Sequence, residues 1–321
     1  MKAGKIIATA VLAGAALLSS QSIMAKTAKV AVSQIVEHPA LDATRQGLLD
    51  GLKAKGYEEG KNLEFDYKTA QGNPAIAVQI ARQLVGEKPD VLVGIATPTA
   101  QALASATKTI PIVFTAVTDP VGAKLVSQLT QPGKNVTGLS DLSPVEQHIE
   151  LIKEILPNVQ SIGVVYNPGE ANAVSLIELL KLSTAKHGLQ LVEATALKTA
   201  DVQSATQAIA AKSDVIYALI DNTVASAIEG MIVAANQANT PVFGAATSYV
   251  ERGAIASLGF DYYQIGVQTA DYVVAILAGK APGTLDVQVA KGSDLVINQT
   301  AAAQLGITIP EAVLTRATSI K

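Results

Sequence analysis

VLVGIATPTAQAL occupies residues 91–103, and its reading decides the fold. Val91 to Ile95 is an uninterrupted apolar run, and a helix-like stretch follows directly. A run that is apolar at every position suits a strand buried on both faces, as in a parallel sheet. Thr97 is a competent N-cap, and Pro98 suits the first helical position, where its missing N–H would have no helical partner. The segment therefore reads as strand, tight turn and helix, the unit from which parallel α/β sheets are built.

The same alternation extends in both directions. KVAVSQ (29–34), NLEFDYK (62–68), IPIVFTAV (110–117) and NVTGLS (135–140) read as strands. Between the first strands lie helical patterns at 40–55 and 74–87, with Leu41, Leu48 and Leu52, then Ile76, Ile80 and Leu84, on single faces. The second half repeats the rhythm with strands at 161–167, 189–196, 214–220 and 241–245, and with a helix running from Asp221 to about Asn239. NVTGLSDLSPVE separates the halves. Ser143, Pro144 and Glu146 there have the spacing of a capping box. With 321 residues and this boundary, two doubly wound parallel-sheet lobes are expected rather than one large sheet.

Hydrophobic residues make up 49% of the chain and charged residues only 16%, with a formal charge of −3. That balance lacks the basic footprint of a nucleic-acid binder. Residues 1–25 read as an export signal: Lys2 and Lys5, an uncharged apolar run from Ile6 to Leu18, and a small residue at Ala25. Cleavage near Ala25 gives a periplasmic protein with a formal charge of −5, because the segment holds no acid. There is no cysteine, hence no disulfide, thiolate chemistry or lipid-modified cysteine.

In open parallel sheets, ligands bind beyond the carboxyl ends of the strands. The residues there are Ser33 and Gln34, then Thr97, Thr99 and Ala100, then Thr115, Thr118 and Asp119, and in the second half Asn167, Glu170 and Asn172, then Asp221, Asn222 and Thr223. They are rich in hydrogen-bonding capacity and poor in catalytic types. The start of the helix after Ala96 can hold a carboxylate, with N–H groups at Thr99 and Ala100. A phosphate fits less well, since no glycine-rich loop or lysine accompanies the turn. Capping is the competing use of both Thr97 and Asp221. Asp221 otherwise suits a ligand ammonium. Glu170 rivals it for that role, although a loop glutamate beside glycine is more often solvated.

His38, His148 and His187 lie in three separate segments and give no metal-ligand spacing, and His148 is expected to face solvent. No nucleophile elbow, Walker loop or dinucleotide fingerprint is present, so no cofactor, metal or catalytic residue is assigned. Phe114, Tyr166, Tyr249, Phe260 and Tyr262 lie near strand ends and are candidates for an apolar side-chain pocket, with core packing as the alternative.

GIATPTAQAL, FTAVTDPVGAKLV, NVTGLSD, IGVVYNPGEANA, IYALIDNTVASAI and FGAATSYVERGAIASLGFDYYQIGVQTADY together resemble ABC-transporter substrate-binding proteins of the aromatic-amino-acid type, tryptophan or phenylalanine. The resemblance implies the type I periplasmic-binding-protein fold, two α/β lobes joined by three crossovers. Lobe one is then 28–140 plus 262–288, and lobe two 141–261 plus 289–321. It also implies a non-enzymatic monomer that captures an aromatic amino acid, Phe, Trp or Tyr, and delivers it to a membrane ABC permease. Thr97 and Thr99 would contact the ligand carboxylate and Asp221 its ammonium, with Asn222 beside it and Ser33 and Asn167 completing the polar shell. A ligand sensor for a membrane receptor, or an exported α/β enzyme, is the alternative.

Overall fold

The computed structural model describes residues 27–321. The expected export signal at 1–25 lies outside the described residues. Two sheets organise the chain. The first contains β1 (Ala28–Gln34), β2 (Leu63–Thr69), β3 (Val91–Ile95), β4 (Ile112–Thr115) and β5 (Val136–Ser140). The second contains β6 (Ser161–Tyr166), β7 (Gln190–Thr195), β8 (Val215–Ala218), β9 (Val242–Gly244) and β10 (Ala256–Gly259). Then β11 (Gln288–Val289) returns to the edge of the first sheet, and β12 (Asp294–Ile297) and β13 (Ser319–Ile320) extend the second. The spatial orders are β11-β5-β4-β3-β1-β2 and β13-β12-β10-β9-β8-β6-β7. Each sheet is wound in both directions and flanked by helices, as in the type I periplasmic-binding-protein fold.

The first sheet is parallel throughout. The second is mixed, because β12 runs antiparallel to β10, which corrects the expectation of a purely parallel lobe. β12 enters from the other sheet after a short connection, with no crossover helix to turn it parallel. β3 is buried along its whole length, as a uniformly apolar central strand should be, and β5 is equally buried although it carries Thr137 and Ser140.

The helices are α1 (Pro39–Ala54), α2 (Pro74–Gly86), α3 (Thr97–Ala106), α4 (Val145–Ile155), α5 (Ala171–Lys186), α6 (Val202–Ala210), α7 (Asn222–Ala225), α8 (Ile228–Gln237), α9 (Thr247–Glu251), α10 (Tyr262–Leu277), α11 (Gln299–Gln304) and α12 (Glu311–Thr315). None of the described helices is long and apolar enough to cross a membrane. The chain passes between the sheets three times, at 141–144, 260–261 and 290–293. After the second passage α10 lies along α1. Small residues let the two backbones meet: a Cβ on Gly47 would sit 2.0 Å from the Tyr263 carbonyl oxygen, and one on Gly266 would sit 2.0 Å from that of Thr44.

Three local expectations change. The capping box does not form. Pro144 occupies the cap position of α4, and the Glu146 carboxylate turns outward to Ser183, Lys186 and His187. The helix expected from Asp221 to Asn239 is divided at Ser226–Ala227 into α7 and α8. His148 is fully buried, its Nδ1 2.7 Å from the Tyr217 hydroxyl. It lies on the apolar stripe of α4 with Ile149 and Ile152, and burial pushes its imidazole down to about 4.

Candidate functional site

The turn after β3 shows how the chain builds one wall of a cleft. Ala96, not Thr97, is the N-cap of α3, with a φ of +77° that is strained for a residue other than glycine. Thr97 and Pro98 are the first two helical residues. The Ala96 carbonyl accepts the Ala100 N–H at 3.2 Å. The Thr99 hydroxyl donates to the Ile95 and Ala96 carbonyls at 2.6 and 3.0 Å. The Thr99 hydroxyl and the Ala100 N–H are therefore spent inside the turn. The Thr97 hydroxyl is left buried, without a partner, and facing a cavity. Gly94 makes the turn possible, since a Cβ there would meet the Ala100 Cα at 2.8 Å.

That cavity lies between the sheets. His38, Leu41, Thr97, Ala116 and Thr118 line it from the first sheet's side. Asn172, Ile220, Asp221, Asn222, Ala246 and Tyr249 line it from the second. Asp141 and Tyr262, at two of the passages between the sheets, close it. Each group follows the carboxyl end of a strand or begins the helix after it. The walls combine small apolar side chains with a few polar groups, the composition of a small-molecule site.

Asp221 is buried, and each of its oxygens accepts one backbone N–H: Oδ1 that of Val224 at 2.9 Å, Oδ2 that of Asn167 at 2.6 Å. It both caps α7 and lines the cavity. Burial, reinforced by Glu170, holds its carboxyl well above the usual carboxylate range. Asp141 accepts the Tyr262 hydroxyl at 2.8 Å and that of Thr118 at 3.1 Å. Burial raises its carboxyl as well, against the pull of those two hydroxyls. His38 sits beside the Asn222 side chain, and burial together with Arg252 lowers its imidazole to about 4. The site thus contains two carboxyls short of countercharge and a histidine kept neutral.

Of the residues expected from sequence, Thr97, Thr118, Asn172, Asp221 and Asn222 line the cavity. Glu170 does not: it is buried behind the wall. Its carboxylate accepts from the backbone N–H of Asn222 and of Thr223, and from the side chains of Asn172, Asn222 and Thr223. The sequence reading of Glu170 as a solvated loop residue is corrected accordingly. Asn167 braces the same turn through Asp221 and Thr223. Thr115 accepts the Thr269 hydroxyl at 2.8 Å and so ties α10 to β4. Ser33 and Gln34 are buried beneath the first wall, Gln34 donating to Val36 and Asp42. Tyr249 and Tyr262 reach the cavity, whereas Phe114 and Phe260 are core residues. Sequence reasoning missed His38 and Asp141. Asn172 follows β6 closely and was within reach of the strand-end rule.

One group of metal-ligand types occurs among the described residues, Glu146, Glu150 and His187 on the outside of α4 and α5. Lys186 pairs with Glu146 and Lys153 lies 3.2 Å from His187, so lysines already neutralise it.

A family model of ABC transporter substrate binding proteins matches residues 29–321. The chain belongs to that family. Its members are binding proteins that serve transport, not enzymes. Family membership implies a small-molecule ligand, a membrane ABC permease as partner, and work in the periplasm. A crystal structure of a conserved domain protein from Vibrio cholerae is 92% identical, covers 92% of this chain and 100% of that one, and superposes with a TM-score of 0.92. A Streptococcus pneumoniae domain in complex with L-Trp is 39% identical, with 92% and 100% coverage and a TM-score of 0.90. A ligand-free, open substrate-binding protein from Clostridium difficile is 36% identical, with 92% and 99% coverage and a TM-score of 0.70. A tyrosine-binding protein of Clostridioides difficile is 35% identical over 274 residues, 85% of this chain and 79% of that protein. The L-Trp complex and the open structure are almost equally related in sequence.

Proposed function

We propose that this substrate-binding protein captures an aromatic amino acid between its lobes and delivers it to an ABC permease. One observation carries the ligand class: the cavity has the polar groups an amino acid needs, and a relative that superposes with a TM-score of 0.90 is in complex with L-Trp. An α-amino acid carries a carboxylate and an ammonium, and burying both is costly unless each is paired. Asp221 supplies a buried anionic partner for the ammonium, and the unpartnered Thr97 hydroxyl across the cleft a donor for the carboxylate. Asn222 stands beside Asp221. The other polar residues expected from sequence support the walls. The ring lies among Leu41, Ile220, Ala246 and Tyr249.

The moving bodies in this reading are 28–140 with 262–288, and 141–261 with 289–321. Ligand that contacts both shifts the open–closed equilibrium toward closure. Residues 1–25 act as a signal peptide cleaved near Ala25, and the mature protein works as a periplasmic monomer. A thermal-shift screen of L-Trp, L-Tyr and L-Phe against the other amino acids, sugars and nucleosides tests the ligand class. A native-state ligand raises the melting temperature by mass action. A shift with at least one aromatic amino acid is expected. A shift with a sugar or nucleoside alone overturns the proposal.

A further inference from the structure

The orientation of one amide in the cavity wall is fixed by its surroundings. Asn172, the second residue of α5, is 3% exposed and lines the cavity. Its Nδ2 donates to Glu170 Oε2 at 3.2 Å and to the Ile220 carbonyl at 3.2 Å. Both neighbours are acceptors only, so the amide nitrogen has to face them and a flipped amide would set oxygen against oxygen. The Asn172 Oδ1 is consequently turned away from them, buried and without a partner. A buried acceptor left unmade costs roughly 1–3 kcal/mol, so the wall is complete only when a donor arrives from the cavity.

The position of that acceptor narrows the donor. Ile220, which holds the Asn172 amide, immediately precedes Asp221, so both acceptors belong to one stretch of wall. Each Asp221 oxygen accepts a single N–H and retains acceptor capacity. Neighbouring anionic and neutral acceptors suit a cationic group with several N–H donors; an ammonium has three. A ring N–H or hydroxyl brings one donor and no charge.

We propose that Asn172 is a specificity-determining contact for the α-ammonium of the ligand, and that Glu170 is a positioning residue that holds its amide with the oxygen toward the cavity. The inference rests on the amino-acid reading above. Glu170 touches no ligand in this scheme. It acts by accepting from the side-chain amides of both Asn172 and Asn222, the latter at 2.5 Å.

The test uses whichever of L-Trp, L-Tyr and L-Phe binds the wild-type protein best, and its des-amino analogue, which keeps the ring and carboxylate. Affinities are measured by calorimetry, directly or in competition. Asn172→Ala should weaken the amino acid by about 10- to 100-fold, the range for a hydrogen bond to a charged group. The analogue should change by less than about threefold, so discrimination between the two falls. Glu170→Gln keeps the shape and offers an amide N–H that lets Asn172 turn over; it should lower the same discrimination, although it lies behind the wall. Melting temperatures of the ligand-free variants separate misfolding from loss of contact. Equal weakening of both ligands by Asn172→Ala, or unchanged discrimination in both variants, overturns the inference. Failure of the wild-type protein to bind any of the three amino acids overturns the amino-acid reading and this inference with it.

Discussion

Asp221 does two jobs that one substitution can separate. Asn is as good an N-cap as Asp, so Asp221→Asn keeps the bond to the Val224 N–H and removes the charge. Binding of the aromatic amino acid should weaken by about 2–5 kcal/mol, as when one partner of a buried charge pair is lost; the Asn167 N–H loses its acceptor in the same substitution, so the ligand-free melting temperature should fall as well. An unaltered affinity would leave Asp221 as a cap alone. His148 gives a pH prediction. Its imidazole is held at about 4 against an ordinary 6.5, so the unfolded chain binds its proton first as pH falls. Its contribution is complete above about pH 6.5 and is lost as pH drops toward 4. Between pH 7 and about 4.5 that loss amounts to about 2–3 kcal/mol. Urea unfolding of His148→Gln should show a correspondingly smaller acid loss than the wild-type protein; identical losses would refute the assignment. The place of Asp221 after an apolar strand was legible in the sequence. The orientation of Asn172 was not, because a carboxylate two residues away and a carbonyl 48 residues away set it together.

The elements themselves were largely written in local pattern. β3 runs from Val91 to Ile95, as the apolar run indicates, and α2 starts at Pro74 behind an Asn73 cap. The failures occur where a side chain had a better partner elsewhere. Glu146 had the spacing to cap α4 but bonds Lys186 and His187, which only the packing of α5 on α4 brings near. The docking of α10 on α1 was invisible for a related reason. Its periodicity shows a buried face without showing which neighbour covers it, while the close approach depends on glycines from two distant segments. Gly266→Ala should therefore cost at least about 1–3 kcal/mol through overpacking, because its Cβ has no room beside the Thr44 carbonyl. Denaturant unfolding checks this, and a neutral result would mean that the two helices can separate without loss.

At the scale of the whole molecule, one contact outside the cavity joins the segments that flank it. The Ser175 hydroxyl on α5 donates to Asp119 Oδ2 at 3.0 Å, joining the β4–β5 connection to the second lobe. A Cβ on Gly122 would lie 2.2 Å from that Asp119 oxygen and 3.2 Å from the Ser175 oxygen. Gly122→Ala should disfavour closure, weakening ligand affinity by roughly tenfold through a smaller closed population. Small-angle scattering with and without ligand would report the lobes, and unchanged affinity and compaction would show that the seam plays no part. What the sequence by itself determined was the βα rhythm, the polar residues at strand ends and the place of Asp221 after an apolar strand, because these follow from local periodicity and chain direction. Only the tertiary structure decided that the chain returns to its first sheet at β11, that β12 runs antiparallel, and that Asn172, Asp141 and His38 share a cavity with Thr97. Those facts depend on which distant segments meet across the crossovers, and local pattern carries no record of its partner.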